Sequence, residues 1–390
     1  MINRSKLREE HLKNSHLLIR KALVVSGTIC LFAGSYAQSP TRPGHQPLPL
    51  KVVGTKVIDS GGRTVLLRGV NAASMEWSAT GEDGHILTTV NEAIHNWHVN
   101  IIRLPLAQDR WFGVSPEQKD KGVAYQALVR KVVDTVNSQG CYILLDLHWN
   151  DCGIWGNQIG QHVMPDMNSV TFWRDIAREY RNEPGVLFDL YNEPHDVPWD
   201  TWLKGGIVTD RGQRGGRPKV YQTPGMQGLL NAVRSVGANN VLVCGGLDWA
   251  YDMSGILANR QLSDPYGNGV IYANHTYPIK GDTMKKWMAK MDVAVKKIPV
   301  IVSEFGAQGN RGNPADRGQT AVDWNNFTLY YIYKHHLNFT AWDLHPAAGP
   351  TLVSNWQYTP TPTFGAIVKK ALNTGVPPTV NQAKPAGTKP

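Results

Sequence analysis

Cysteine is scarce in this 390-residue chain: there are four, with no Cys-x-x-Cys and no zinc-finger spacing. Cys30 lies in a segment expected to be removed. The three that remain (Cys141, Cys152, Cys244) cannot form a complete disulfide set. Cys141 and Cys244 sit in apolar, β-rich runs, where a small buried thiol is the ordinary outcome, and Cys152 sits in a polar loop. Several catalytic signatures are also missing. Without a Gly-x-Ser-x-Gly the chain lacks the serine-hydrolase elbow. It has neither His-Glu-x-x-His nor His-x-His, so a metallohydrolase would have to gather His148, His275 and glutamates without the usual spacing. No glycine-rich turn follows the first strand candidate, which disfavours a dinucleotide-binding open sheet. The longest apolar run outside the folded region has thirteen residues, too few to span a bilayer comfortably.

Charged residues make up 18% of the chain and hydrophobic residues 42%, enough to build a core and to exclude global disorder. The formal charge is +9, of which residues 1–37 carry +4, and no basic block tracks a phosphate backbone, so no nucleic-acid partner is expected. Thirteen Trp and fourteen Tyr against eight Phe favour aromatic rings with a polar edge, the kind that lie against hydroxylated ligands.

The chain opens with a basic, polar stretch, followed by the apolar run 22–34 and by Ser35-Tyr36-Ala37. That order predicts an export signal over 1–37 with cleavage after Ala37, and hence a secreted protein, extracellular or periplasmic, with no membrane attachment once the signal is gone. Residues 38–50, with Pro40, Pro43, Pro47 and Pro49, read as a linker, and 374–390 as a disordered Pro-rich tail. The span 51–373 reads as one domain, and a monomer is expected.

Within that domain a hairpin is expected from strands over 52–58 and 64–67, turning at Asp59-Ser60-Gly61-Gly62. Eight strand candidates follow, at 66–71, 100–104, 142–147, 186–191, 241–244, 270–273, 300–303 and 339–342. Amphipathic helices are expected at 124–138, 169–181, 226–236, 284–296 and 324–336, and two further links are less clearly helical. Most strands are continuous apolar runs, as in a parallel sheet buried on both faces. Eight such strands alternating with helices predict an α/β fold, a (β/α)8 TIM barrel forming a single catalytic domain.

In such a barrel, chemistry collects at the carboxyl ends of the strands. The ends here carry Arg103, His148, Asn192-Glu193, His275 and Tyr277, Glu304, and Trp342. Any one of these could be an ion pair or a packed side chain, but six strands ending in such groups describe a polar pocket. A charged carboxylate at the end of an apolar strand is costly unless paired or functional. Glu193 and Glu304, brought face to face without an evident metal cage, suit cleavage of a glycosidic bond, one protonated and the other ionised.

Tyr-Asn-Glu-Pro at 191–194 and Ser-Glu-Phe-Gly at 303–306 resemble the acid/base and nucleophile motifs of glycoside hydrolase family 5, the cellulase family. The ordered set Arg103, His148, Asn192, Glu193, His275, Tyr277, Glu304, Trp342 is similar to that family's full constellation, and the likeness runs from about residue 54 to 372. The resemblance implies Glu304 as nucleophile and Glu193 as general acid, then base, with Asn192 holding the sugar 2-hydroxyl. Arg103 and Tyr277 would bond the nucleophile, His275 would contact the acid/base, His148 would line the −1 subsite, and Trp342 would form its floor. It further implies a retaining enzyme that needs no cofactor and no metal, acting on β-1,4-glucan as an endoglucanase, with a β-linked polysaccharide or oligosaccharide as partner. β-Mannanases and exo-β-glucosidases share the constellation, and a non-catalytic carbohydrate-binding barrel is the reading outside that class. Among the loop aromatics (Trp149, Trp155, Trp249, Trp356), Trp149 and Trp249 are the preferred sugar platforms. His195, Asp343 and His345 are open between site and scaffold. The insertion 204–219 reads as a solvated loop, or else as a lip over the acceptor side.

Overall fold

The computed structural model describes residues 46–153, 160–211, 218–309, 312–315 and 319–380. The expected export signal, the first part of the Pro-rich stretch, Trp155, the middle of the 204–219 insertion and the end of the tail lie outside them. Twelve strands run through the described residues: β1 (Leu50–Val53), β2 (Lys56–Asp59), β3 (Arg68–Asn71), β4 (Ile101–Ala107), β5 (Tyr142–Trp149), β6 (Val186–Asp189), β7 (Gly206–Asp210), β8 (Lys219–Thr223), β9 (Leu242–Gly245), β10 (Val270–Thr276), β11 (Val300–Phe305) and β12 (Asn338–Ala341). Eight of them close a parallel barrel in the order β3-β4-β5-β6-β9-β10-β11-β12, with β12 returning to β3. Among the described residues the fold is a (β/α)8 barrel, and no helix is long and apolar enough to cross a membrane.

The expected helices form at Val123–Ser138, Met167–Tyr180, Gly225–Arg234, Met284–Ala294 and Ala321–Lys334. Of the two unclear links, the first contains the helix His85–Trp97 and the second only the single turns Leu247–Ala250 and Ser254–Leu257. Caps fix where helices begin. Asp166 accepts from Ser169 N and Thr320 from Asp323 N, each in a reciprocal capping box.

The hairpin before the barrel turns earlier than its sequence suggested. β1 and β2 pair across Gly54-Thr55, where Gly54 takes φ +60°, a conformation that costs glycine little. Asp59-Ser60-Gly61-Gly62 is also a turn, with the Asp59 carboxylate accepting from Gly61 N and Arg63 N, but the chain beyond it adds only an isolated bridge between Ile58 and Thr64. The end of the Pro-rich stretch packs on the barrel: Pro47 is buried and the Tyr142 hydroxyl donates to the Leu48 carbonyl. The described part of the 204–219 insertion departs from a plain solvated loop. Its flanks form the antiparallel hairpin β7–β8, with Val208 and Asp210 buried beneath it. Cys152 is buried, as are Cys141 and Cys244.

Two apolar clusters arise from strand alternation. Val65, Leu67, Ile101, Leu144, Leu187, Val243, Ile271, Ala273 and Ile301 fill the barrel interior and are closed below by Leu50 and Val57 of the hairpin. The alternate residues (Ile102, Ile143, Phe188, Leu242, Tyr272, Val302, Phe339) face the helix layer. The interior stops being apolar two residues further along. Ile101 is followed inward by Arg103, Leu144 by Asp146, Leu187 by Asp189, and Ala273 by His275.

Candidate active site

Several polar side chains lie within or at the ends of the strands rather than in loops. Arg103, Asp146, His148, Asp189, His275 and Glu304 belong to strands, Tyr277 and Trp342 come directly after β10 and β12, and Asn192-Glu193 follow β6 after two residues. β10 and β11 slip register between Ala273 paired with Ile301 and His275 paired with Glu304. Ile301 and Ser303 face inward, and Glu304, which strict alternation would send to the helix layer, also faces inward. Phe305 then returns to the outer core. The extra residue acts as a β-bulge that re-aims one side chain.

Arg103, wholly buried, is the hub. Its Nε donates to Asp189 (2.9 Å), one terminal nitrogen to Glu304 Oε1 (2.7 Å) and Asn71 Oδ1 (3.0 Å), and the other to Asn192 Oδ1 (2.8 Å), while lying 3.0 Å from Asp146. Tyr277 donates to the second Glu304 oxygen at 2.6 Å. Burial beside Glu304 pushes the Tyr277 phenol well up, so it remains a donor. Glu304 is thus gripped at both oxygens, with 5% of its side chain exposed.

Glu193 is more open, at 20%, and has a different partner: His275 Nδ1 at 3.0 Å, whose Nε2 lies 3.0 Å from Ser303 Oγ. Burial raises the Glu193 carboxyl above the ordinary glutamate range, against the pull of His148, Lys280, His195 and Arg103. Burial also lowers His275 to about 3 and His148 to about 4, so both rings are neutral at physiological pH. His148 therefore donates from Nδ1 to Asp146 (2.6 Å) and presents Nε2 as an acceptor to Asn192 (3.3 Å). Burial pushes Asp146 and Asp189 up to about 7, against the lowering pull of Arg103.

The two glutamates face each other. Glu193, His275 and Glu304 each offer an atom, and the three atoms lie within 4.8 Å of one another. Three such atoms could in principle hold a cation. Here Glu304 already accepts from Arg103 and Tyr277, and a guanidinium 2.7 Å away repels positive charge. This close oxygen-to-oxygen approach fits the pairing of retaining glycosidases, whose carboxyl groups stand ~5–5.5 Å apart, better than the ~6.5–9.5 Å of inverting ones.

All eight members of the expected constellation meet here. Trp342 joins through His148, the rings stacked at 5.3 Å and 12°. Trp149 ends β5 beside Trp77, clasped by the loop at Gly153 and Gly160, where an added Cβ would lie 2.5 and 2.8 Å from the indole. Trp249 stacks on His195 at 4.3 Å and carries the Lys280 ammonium 4.8 Å from its ring centre, so a sugar on this indole would share it with both. His345 is bonded to Glu82 and packs edge-on against Trp77 and Trp356. Asp343 is buried, and burial pushes its carboxyl well above the ordinary aspartate range.

Sequence reasoning passed over Asn71, Asp146, Asp189 and Gln161. The first three had a readable mark, a polar side chain at the end of or inside an apolar strand. Gln161, which bonds both Asn192 and Glu193, had none, being one polar residue in a polar loop.

The family profile Cellulase (glycosyl hydrolase family 5) matches residues 58–348. The chain is similar to an endoglucanase of Clostridium saccharobutylicum, 24% identical over 345 residues that cover 83% of this chain and 64% of that protein. It is also similar to endoglucanase N of Pectobacterium atrosepticum, 23% identical over 374 residues, 93% and 74% of the two chains. Among solved structures it resembles β-glucanase SdGluc5_26A of Saccharophagus degradans, crystallised with cellotetraose, at a TM-score of 0.67 and 23% identity, covering 87% of this chain and 97% of that one. With its family profile spanning three quarters of its length, the chain belongs to glycosyl hydrolase family 5, the cellulase family.

Proposed function

We propose that the protein is a secreted endo-β-1,4-glucanase that cleaves by double displacement on Glu304 and Glu193. The observation that carries this reading is the pair itself: Glu193 and Glu304 each place a carboxylate oxygen within 4.8 Å of the other's, one glutamate gripped by a guanidinium and a phenol, the other raised by burial. In the first step a Glu304 oxygen attacks the anomeric carbon of the sugar in the −1 subsite, while protonated Glu193 gives its proton to the departing glycosidic oxygen. Forming the ester removes the Glu304 charge, an anion close to Glu193, and so favours ionised Glu193. That group then takes a proton from water as the water attacks the anomeric carbon, and Glu304 leaves with net retention.

The other residues fit the same cycle. Arg103 and Tyr277 aim Glu304, and neutral His275 holds Glu193. The Asn192 amide meets the 2-hydroxyl, and Trp342, backed by His148, floors the −1 sugar. A β-1,4-glucan as substrate is supported by the relatives' descriptions as endoglucanases and by the cellotetraose bound to the Saccharophagus protein. Export is supported by the basic–apolar–small order of residues 1–37, and action as a monomer by a site complete within one chain. No metal or cofactor enters the cycle.

Release of reducing ends from carboxymethylcellulose, mixed-linkage β-glucan and mannan, by the wild type and by Glu304→Gln, tests the proposal. Cleavage of the glucans by the wild type, with turnover of the variant lower by at least about a thousandfold, is expected. Cleavage of mannan alone would reassign the substrate, absence of any cleavage would favour a binding barrel, and equal turnover by Glu304→Gln would remove the nucleophile.

A further inference from the structure

The chain leaving β5 returns to the site at residues 160–163, and its ends are fastened by buried polar contacts. Asp151 accepts from Gly153 N (2.9 Å) and Gly160 N (2.7 Å). The His162 ring bridges two carboxylates, Nε2 to Asp151 and Nδ1 to Asp210, both at 2.9 Å, which ties the segment to the β7–β8 hairpin. These partners hold His162 up at about 9 against the lowering effect of burial, so it is an imidazolium at neutral pH. The Tyr191 hydroxyl donates to the His162 carbonyl (2.7 Å), and His195 N donates to the Val163 carbonyl (3.0 Å).

Gln161 stands between these anchors, 8% exposed, and both ends of its side-chain amide are bonded. Its Nε2 donates to the Glu193 carbonyl (2.8 Å), and its Oε1 accepts from Asn192 Nδ2 (2.5 Å). Asn192 Oδ1 in turn accepts from Arg103. Because Arg103 requires an oxygen on one side of the Asn192 amide and Gln161 Oε1 a nitrogen on the other, the amide has one orientation. One Nδ2 hydrogen goes to Gln161. The second faces His148 Nε2 at 3.3 Å, a long contact that a sugar hydroxyl can replace.

We infer that Gln161 is a positioning residue. It sets the Asn192 amide so that a hydrogen is presented to the 2-hydroxyl of the −1 sugar, and it fixes the peptide that carries Glu193. This rests on the proposed glycosidase reading and extends it to a residue outside the expected constellation. It acts through Asn192, so its loss should resemble loss of the 2-hydroxyl contact rather than a general loosening.

The test compares kcat/KM for an aryl β-cellobioside with that for its analogue lacking the 2-hydroxyl on the aglycone-bearing ring. It uses the full chain as wild type, Asn192→Ala, Gln161→Ala, the Asn192→Ala/Gln161→Ala double variant and Gln161→Glu, each with its thermal midpoint. Gln161→Ala should lower the hydroxyl/deoxy ratio about tenfold or more, mainly through kcat, and the double variant should fall no further than Asn192→Ala alone. Gln161→Glu keeps an acceptor for Asn192 and should hold the ratio near wild type. Its added carboxylate, facing the Glu193 segment, should move the alkaline limb of the pH profile upward. Equal losses on both substrates in Gln161→Ala, or a lowered midpoint with the ratio unchanged, would overturn the inference while leaving the glycosidase reading intact. A ratio unmoved by Asn192→Ala would overturn both this inference and the assigned role of Asn192.

Discussion

At the level of Ile101, Leu144, Leu187 and Ile301 the barrel interior is packed mainly with apolar side chains, sealed below by Leu50 and Val57. Two residues on, the strands present Arg103, Asp146, Asp189, His275 and Ser303, nearly all fully buried. The lower level has few polar groups to satisfy, among them the Asn338 amide, which bonds the Leu67 N–H and the Val300 carbonyl, so shape and volume dominate there. In the upper level every group must find a partner, and Arg103 alone makes five polar contacts. The lesson is a division of labour along one set of strands. Burial that stabilises the lower interior is, two residues on, the force that shifts protonation: His275 and His148 go down, and Glu193, Asp146 and Asp189 go up.

Exchanging one residue at each level separates the two halves. Leu187→Ala removes side-chain volume from the lower interior and should cost about 2–5 kcal/mol in urea unfolding, with kcat per folded molecule unchanged. Arg103→Met should abolish measurable turnover and also destabilise by about 3–5 kcal/mol at pH 8, because three buried carboxyl groups lose the guanidinium they share. The sign of its pH dependence comes from burial. Asp146 and Asp189 already titrate near 7, and without Arg103 their neutral forms gain further, so the destabilisation should shrink at pH 5. A loss equal at both pH values, or a fall in kcat from Leu187→Ala, would break the contrast between the halves.

A smaller effect is expected at the mouth. Lys280 lies near enough to Glu193 to favour its ionised form. Lys280→Ala removes that cation, so the Glu193 carboxyl should rise and the alkaline limb of kcat/KM should move to higher pH by a fraction of a unit, with the acidic limb in place. A shift to lower pH would contradict the placement of Glu193 as the acid.

Much of this was legible in the sequence, and the exceptions have physical reasons. Continuous apolar strands with polar ends are the mark of a closed parallel barrel, and Arg103, Glu193 and Glu304 were marked by the cost of placing charge there. Asp146 and Asp189 carried the same mark but lay before the strand ends, where attention to termini passed over them. The inward aim of Glu304 depends on a register slip against β10, which no period-two reading of β11 alone contains. Gln161 is placed by contacts with Asn192 and Glu193, 31 and 32 residues away in sequence, made by a loop whose local pattern says only that it is polar. The hairpin β7–β8 had a mark in Ile207-Val208-Thr209 and Val220-Tyr221, β-branched and aromatic residues, but both runs are short and flank a Gly- and Arg-rich stretch that reads as a loop.

The central claim, that Glu304 forms a covalent bond to the sugar while Glu193 moves the proton, is tested most directly by trapping. Incubation with a 2-deoxy-2-fluoro-β-cellobioside bearing a good leaving group, followed by proteolysis and mass spectrometry, should place one fluorocellobiosyl unit on the peptide containing Glu304. Label on the Glu193 peptide, or an unlabelled enzyme that releases the α-anomer from its natural substrate, would contradict it.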